Sequence, residues 1–492
     1  MSEAFLSNLR ESPMSNIPVY QNYINGQFVQ HSANYIEVMN PANGDVLSKV
    51  PSADKVEVEQ AIHAAKQAQP AWASRPAIER AQYLHKIAEK IRQNIDRLAL
   101  VITQEQGKVL SLARVEVNFT ADYLDYMASW ARHIEGEIIT SDRKGENIFL
   151  FRKPLGVVAG ILPWNFPFFL IVRKMAPALI TGNTIVIKPS EETPNNCFEF
   201  TQLLDEVGLP QGVFNVVCGS GRNVGQALSS SEDINMISFT GSVETGSVIM
   251  SAAAKNITKV NLELGGKAPA IVLDDANIDL AVSAIKASRI TNTGQVCNCA
   301  ELVYVHAKVA DEFIKKISDA MASTRYGDPQ LDPDIEMGPL VNKSCLNKVA
   351  SMVEQAIAEG AKVATGAKVA DTDSGYHYQP TVLVNCHADM EIMRKEIFGP
   401  VLPIQIVSSL EEAIELANSL EYGLTSSVYT QSLNQAMRAI ELLNYGETYI
   451  NRENFEAIQG FHAGTRKSGI GGADGKHGLY EFTQTHVVYM QN

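Results

Sequence analysis

Cysteine is scarce in this chain, with six in 492 residues: Cys197, Cys218, Cys297, Cys299, Cys345 and Cys386. That number excludes a dense disulfide framework and points to a reducing compartment, the cytoplasm. A basic surplus is also missing. Lys and Arg total 41 against 55 Asp and Glu, a net charge of −14. No local basic stripe offsets it, which sets aside nucleic acid as a partner. Long apolar runs are absent too. The most apolar stretch, 156–172, contains Pro163, Asn165 and Pro167 and stops at Arg173 and Lys174. It is too short and too broken to span a membrane, and it reads as buried strand and loop. Residues 1–16 carry Glu3, Arg10, Glu11 and Pro13, lack the apolar core of a secretory signal, and read as a loose extension. Neither a solenoid-type repeat nor a low-complexity linker breaks the chain.

What is present is an ordinary globular profile, 45% hydrophobic and 20% charged, long enough for at least two domains. Residues 55–70, 77–106 and 109–134 show apolar positions at helical spacing and predict three amphipathic helices covering one side of a sheet. From 157 the pattern changes to short strand-like runs at 157–162, 184–187, 213–217, 236–239 and 270–273, separated by helical segments such as 197–207. Strand and helix in alternation predict a parallel α/β sheet. A second such series follows, with helices near 308–324, 344–359, 410–419 and 433–443 and strands near 301–305, 381–384, 402–407 and 448–450. Residues 147–153 and 485–490 are β-rich and would leave open edges, for which pairing with another subunit is a remedy.

Two segments carry the chemistry. Glu263-Leu264-Gly265-Gly266-Lys267 stands upstream of Gly294-Gln295-Val296-Cys297, with the carboxylate 34 residues before the thiol. A covalent thiol mechanism released by water needs such a nucleophile and such a base. The strand-like run 236–239 leads into Thr240-Gly241-Ser242 and then Gly246, a glycine turn before a helix whose free N–H groups suit a pyrophosphate. The strand ending Ile187-Lys188-Pro189-Ser190-Glu191 presents a carboxylate beyond its carboxyl end. There it serves either as an acceptor for ribose hydroxyls, favouring NAD over NADP, or as half of a solvated Lys/Glu pair. Cys297-Asn298-Cys299, with no histidine or further cysteine nearby in sequence, is a poor ligand set, and no metal is expected.

These segments, with Pro163-Trp164-Asn165-Phe166-Pro167 and Glu396-Ile397-Phe398-Gly399-Pro400, resemble the motifs of the aldehyde dehydrogenase superfamily, in family order from 163 to 400. The resemblance implies a Rossmann-like cofactor domain (17–133 and 154–265), an α/β catalytic domain (266–465) and a small β oligomerisation arm (134–153 and 480–492). It implies Cys297 as nucleophile, Glu263 as base for the deacylating water, and Asn165 with the Cys297 N–H as oxyanion hole. Pro163, Trp164, Lys188, Glu191, Gly241, Ser242, Glu396 and Phe398 become coenzyme residues, for NAD or, less well, NADP. A homotetramer, or else a dimer, is the implied assembly. Glu263 argues for hydrolysis over transfer to coenzyme A.

For the substrate, Arg173, Asn298, Glu456 and His462 fall where the family lines its tunnel, and four polar groups suit a small hydroxylated aldehyde. The segments 451–456 and 467–472 resemble the family members that act on lactaldehyde and glycolaldehyde. Other readings stay open. Arg173 and Glu456 can pair with one another, His462 can be a satisfied loop histidine, and Arg173 can clamp the carboxylate of succinate semialdehyde. A broad aliphatic specificity and a homologue that has lost catalysis are the remaining alternatives. A thiol hydrolase would pair its cysteine with a histidine, and none lies near Cys297 in sequence. Ala473 stands where many relatives place a relay glutamate for the lysine matching Lys174, with Asp474 as a candidate substitute.

Overall fold

Alternating strand and helix from residue 157 onward build the first of two large sheets. The computed structural model describes residues 17–29, 34–370 and 375–492, so the extension 1–16 lies outside the described residues. The first sheet has five parallel strands at its centre, in the order Lys259–Leu264, Met236–Gly241, Val157–Ile161, Thr184–Lys188, Phe214–Val216. Numbered along the chain this is 5-4-1-2-3, so the strand order reverses between Val157–Ile161 and Met236–Gly241. Ligands bind beyond the carboxyl ends of strands at such a switch point. Pro163-Trp164-Asn165 follows one of these strands and Ser242 follows the other. Antiparallel strands Asn22–Ile24, Gln27–Val29 and Gly469–Ile470 finish the two edges.

The second sheet has seven strands, with Ala268–Val272 and Ala300–His306 side by side near its middle. All pairs are parallel except Lys362–Thr365 against Thr381–Val384. The run expected at 270–273 therefore belongs to this sheet and not to the first series.

The helices expected to cover one side of a sheet cover both. Lys55–Ala73, opened by a capping box of Asp54 and Glu57, buries Val58, Ala61 and Ile62 on one face. Ala77–Gln93, Ile95–Gln106 and Leu110–Ser129 bury Leu84, Leu98 and Leu124 on the other. The single helix expected at 77–106 is two, because Asn94 leaves helical geometry (φ −122°) and bonds back to the Lys90 carbonyl.

A second correction concerns 156–172. Only Val157–Ile161 is strand; Pro167 opens a helix, Pro167–Ile180, in which all 14 residues are buried. A helix that is apolar all round shows little periodicity, so its sequence does not separate it from a buried strand.

The two β-rich segments pair with each other within one chain, and Thr483–Gln491 keeps its outer edge open. Thr483–Gln491 pairs antiparallel with Glu146–Pro154 along its whole length, and Glu137–Ile139 completes a three-stranded sheet. Among the described residues, no helix is long and apolar enough to cross a membrane.

Candidate active site

Cys297 owes its place to a strained turn. Between the helix Ile278–Ile290 and the strand Ala300–His306, three successive residues, Asn292, Thr293 and Gly294, take left-handed geometry (φ 48°, 62° and 72°). Such a conformation costs about 1–3 kcal/mol at each non-glycine residue and persists only where the surroundings over-determine it. Here they do. Asn292 Nδ2 donates to the Asn165 carbonyl (3.1 Å), Thr293 Oγ1 to the Gly338 carbonyl (3.0 Å), and Gln295 Nε2 to the Asn292 carbonyl (3.0 Å), while Gln295 accepts from the Val341 N–H (2.9 Å). Gly294 is required at its position, since a Cβ there would lie 2.3 Å from the Gly399 carbonyl oxygen. The turn leaves Cys297 half-buried at a cavity of about 300 Å³, whereas Cys299 is buried, with its thiol pushed up to about 12 by that burial.

Asn165 closes on this loop from the first sheet, donating from Nδ2 to the Gln295 carbonyl (3.0 Å). An amide nitrogen carries two hydrogens, so one donor remains for a substrate oxygen. Glu263 lies near the end of the strand Lys259–Leu264, where it accepts from Thr240 Oγ1 (3.0 Å) and lies 3.8 Å from Arg173. Burial alone would raise its pKa, but Arg173 and Lys174 outweigh burial and hold it below the usual carboxylate range. It is therefore ionised at neutral pH. Lys174 donates to Ser238 and Thr240, and burial lowers it to about 8.

Pro163, Trp164, Asn165, Arg173, Gly241, Ser242, Glu263, Cys297, Asn298, Glu396, Phe398 and Glu456 all line the same cavity. Lys188, Glu191 and His462 do not. Lys188 is buried at the end of its strand and donates to Glu191 (2.9 Å), whose other oxygen accepts from the Gly221 N–H (2.9 Å). These residues fit a dinucleotide. The helix Val243–Ala253 starts at Ser242, which caps Thr245, and leaves first-turn N–H groups without intrahelical acceptors. A Cβ at Gly246 would lie 2.6 Å from the Leu264 side chain, so the glycine lets this helix close on the next strand. The rings of Trp164 and Phe398 meet edge-on, 5.5 Å between centroids.

Glu396 accepts from the Gly266 N–H (2.9 Å), and burial together with Glu301 raises it to about 7. Glu301 itself is lowered to about 2 because Lys267 and Arg289, both buried against it, outweigh burial. It accepts from the N–H groups of Ile397 and Phe398 and so holds Phe398 in left-handed geometry (φ 57°). The ordinary Glu value is 4.5. Because the folded value lies above it, the stability that protonated Glu396 contributes is lost as pH rises through about 7. In the ribose-binding role that the family resemblance implies, the ionised carboxylate is the stronger acceptor. Coenzyme affinity is therefore expected to rise through about pH 7 in a fluorescence titration with NADH, and Glu396→Gln is expected to flatten that rise. A parent whose affinity does not change with pH would exclude this role for Glu396.

At the other end of the cavity three of the four expected substrate residues, Arg173, Asn298 and Glu456, come together, while His462 stands off the lining. Arg173 lies between three acidic side chains: Asp474, which takes its Nε (3.0 Å) and Nη2, Glu456 (3.7 Å) and Glu263 (3.8 Å). Asn298 Nδ2 donates to Glu456. The simple Arg173–Glu456 pair thus gives way to a cluster in which Asp474 is the main partner, and that partner lies 301 residues away in sequence. His462 is only 2% exposed; its Nδ1 lies 2.5 Å from Glu447, and the Cys297 thiol is close enough to bear on its titration. Burial and Arg173 pull the imidazole down, but Glu447 and the neighbouring thiol outweigh them and hold its pKa well above the ordinary histidine value. Sequence distance hid this neighbour of Cys297.

The comparisons with known proteins agree with this geometry. The aldehyde dehydrogenase family model matches residues 28–488, and the chain belongs to that family. It has the aldehyde dehydrogenase fold and is an oxidoreductase acting on aldehydes with NAD(P) as acceptor. It is 57% identical to the lactaldehyde dehydrogenase of Escherichia coli (strain K12), over 97% of this chain and 100% of that protein. The crystal structure of lactaldehyde dehydrogenase from Escherichia coli matches with a TM-score of 0.96 at 58% identity, covering 97% of this chain and 100% of that one. A 3,6-anhydro-L-galactose dehydrogenase in complex with NAP matches with a TM-score of 0.94 at 41% identity, covering 96% and 100%. Family membership sets aside the thiol hydrolase, although His462 does stand near Cys297, and the 57% identity to an enzyme over the whole chain speaks against a homologue that has lost catalysis.

Proposed function

We propose that this enzyme oxidises a small hydroxylated aldehyde, lactaldehyde or glycolaldehyde, to its acid with NAD, through a thioester on Cys297 released by water. The engagement of Arg173 carries the substrate class. Three carboxylates surround one guanidinium at the polar end of the cavity. A substrate with its own carboxylate, such as succinate semialdehyde, meets an arginine already paired and a local negative surplus. A hydroxyl group instead finds an acceptor in Glu456 and an amide in Asn298, and a site built for a hydroxyl discriminates against analogues lacking it. The 57% identity to a lactaldehyde dehydrogenase supports the same reading.

In this mechanism Cys297 adds to the aldehyde carbon as the thiolate, its proton having left to solvent, and the Asn165 amide with the Cys297 N–H donates to the resulting oxyanion. The bound coenzyme supplies the hydride acceptor. Glu263 then takes the proton of the water that attacks the thioester, freeing the acid and the thiol. The Glu191 carboxylate, held by Lys188 and the Gly221 N–H, favours NAD because a 2′-phosphate would meet like charge. The part built from 17–133 and 154–265 holds most of the coenzyme and supplies Asn165 and Glu263, the part 266–465 supplies Cys297, Glu396 and Phe398, and the arm of 134–153 and 480–492 assembles a homotetramer, or else a dimer, in the cytoplasm. Six unpaired cysteines support the reducing compartment. The exposed Ile138, Tyr489 and Met490 on the arm support assembly there.

The test is reduced-coenzyme absorbance with NAD and NADP over lactaldehyde, glycolaldehyde, succinate semialdehyde and an unsubstituted aliphatic aldehyde. The hydroxyaldehydes are expected to exceed the others by roughly tenfold or more in kcat/KM, with NAD preferred. Preference for succinate semialdehyde would sink the substrate assignment and leave the chemistry at Cys297 standing.

A further inference from the structure

Lys108 and Glu116 lie beyond the residues that touch the reacting groups, and their side chains have no accessible surface. Two charges buried together are unfavourable unless hydrogen bonds satisfy both. Their partners are all at one place. Lys108 Nζ donates to Glu116 Oε2 and to the Asn165 carbonyl (2.8 Å), and its ammonium stands 3.7 Å from the centroid of the Phe166 ring. Glu116 Oε1 accepts from the N–H groups of Phe168 (2.9 Å) and Phe169 (3.1 Å). These are the second and third residues of the helix Pro167–Ile180, whose first residue, being proline, has no N–H to offer.

The pair therefore grips the turn 165–167 from both sides. Lys108 holds the backbone of Asn165 before Pro167, and Glu116 holds the first helical turn after it. Asn165 is also tied to the Cys297 loop by its own Nδ2 on the Gln295 carbonyl and by Asn292 on its carbonyl. Left-handed Gly107 (φ 79°) ends the preceding helix and turns Lys108 toward this turn; a Cβ on Gly107 would lie 2.5 Å from the Pro339 ring.

We propose that Lys108 and Glu116 are positioning residues for the oxyanion donor: together they fix the turn that aims the Asn165 amide at the aldehyde oxygen that becomes anionic when Cys297 attacks. The inference rests on the proposed role of Asn165. Oxyanion donors act only where they are preorganised, and a displacement of about 1 Å is enough to cost roughly 100-fold in rate.

The experiment is a double-mutant cycle on the rate of first-turnover NADH formation, using Lys108→Met, Asn165→Ala and the combination. NADH affinity and the rate of Cys297 alkylation by iodoacetamide report on the intact coenzyme site and nucleophile. Lys108→Met is expected to slow the first turnover by about 10- to 100-fold, with alkylation and NADH affinity changed by less than about twofold. In the Asn165→Ala background the same substitution is expected to cost less than about threefold, because the group it positions is gone. Glu116→Gln keeps an amide oxygen for Phe168 and Phe169 but removes the charge, and it carries the same cycle if Lys108→Met does not fold. Equal effects of the substitution in both backgrounds, an unchanged first turnover, or a parallel loss of alkylation and coenzyme binding would each overturn the proposal. An Asn165→Ala variant as fast as the parent would instead overturn the reading of Asn165 itself.

Discussion

Cys297→Ala is expected to lower aldehyde-dependent NADH formation by about 10⁴-fold or more while leaving NADH binding within about twofold of the parent. The neighbouring thiol cannot substitute. Cys299 is the nearest in sequence, yet it is buried, its proton is held by a pKa near 12, and its Sγ donates to the Val296 carbonyl. Glu263→Gln makes the contrast. It keeps the nucleophile and the oxyanion donor, so a first burst of NADH, up to one per active site, is expected, followed by turnover reduced by about 10²- to 10⁴-fold. Rapid-mixing absorbance separates the two variants. If Glu263→Gln shows neither burst nor turnover, the carboxylate acts before the thioester forms, and its assignment to deacylation fails.

The second large effect is expected at Arg173. Arg173→Met leaves Glu263, Glu456 and Asp474 without the guanidinium that balances them, and breaking a buried ion pair from one side costs about 3–5 kcal/mol. The pH dependence has a definite sign. Glu263 titrates below its unfolded value of 4.5, so the stability it draws from Arg173 is present above about pH 4.5 and is lost as pH falls through the folded value. The gap between parent and variant in urea denaturation should therefore be widest near neutrality and narrow in acid. Activity should follow, since without Arg173 burial raises Glu263 and the acid limb of kcat moves upward. A variant with parental stability across this range would show that solvent, and not Arg173, neutralises the cluster.

The local readings of the chain survive where the cause is local. Helices such as Leu410–Ser419 and Leu433–Leu442 and strands such as Thr381–Val384 lie within a residue of where periodicity puts them, because one face of each is buried and the other is not. The misreadings share another cause. The helix Pro167–Ile180 is buried on every side, and the break at Asn94 depends on a hydrogen bond that composition does not announce. The two β-rich arms pair with each other across more than 300 residues of sequence, which no window on the chain displays.

The same division runs through the candidate site. The sequence alone determined the family, because Glu263, Cys297 and the glycine turn at Gly241 sit in segments whose identity and order carry that information. The tertiary structure alone decided the electrostatics. Which carboxylates engage Arg173, which histidine stands beside Cys297, and which buried pair grips Asn165 are matters of charge compensation between distant segments. A buried charge takes whatever partner the fold brings within reach, and that choice is made in space and not along the chain.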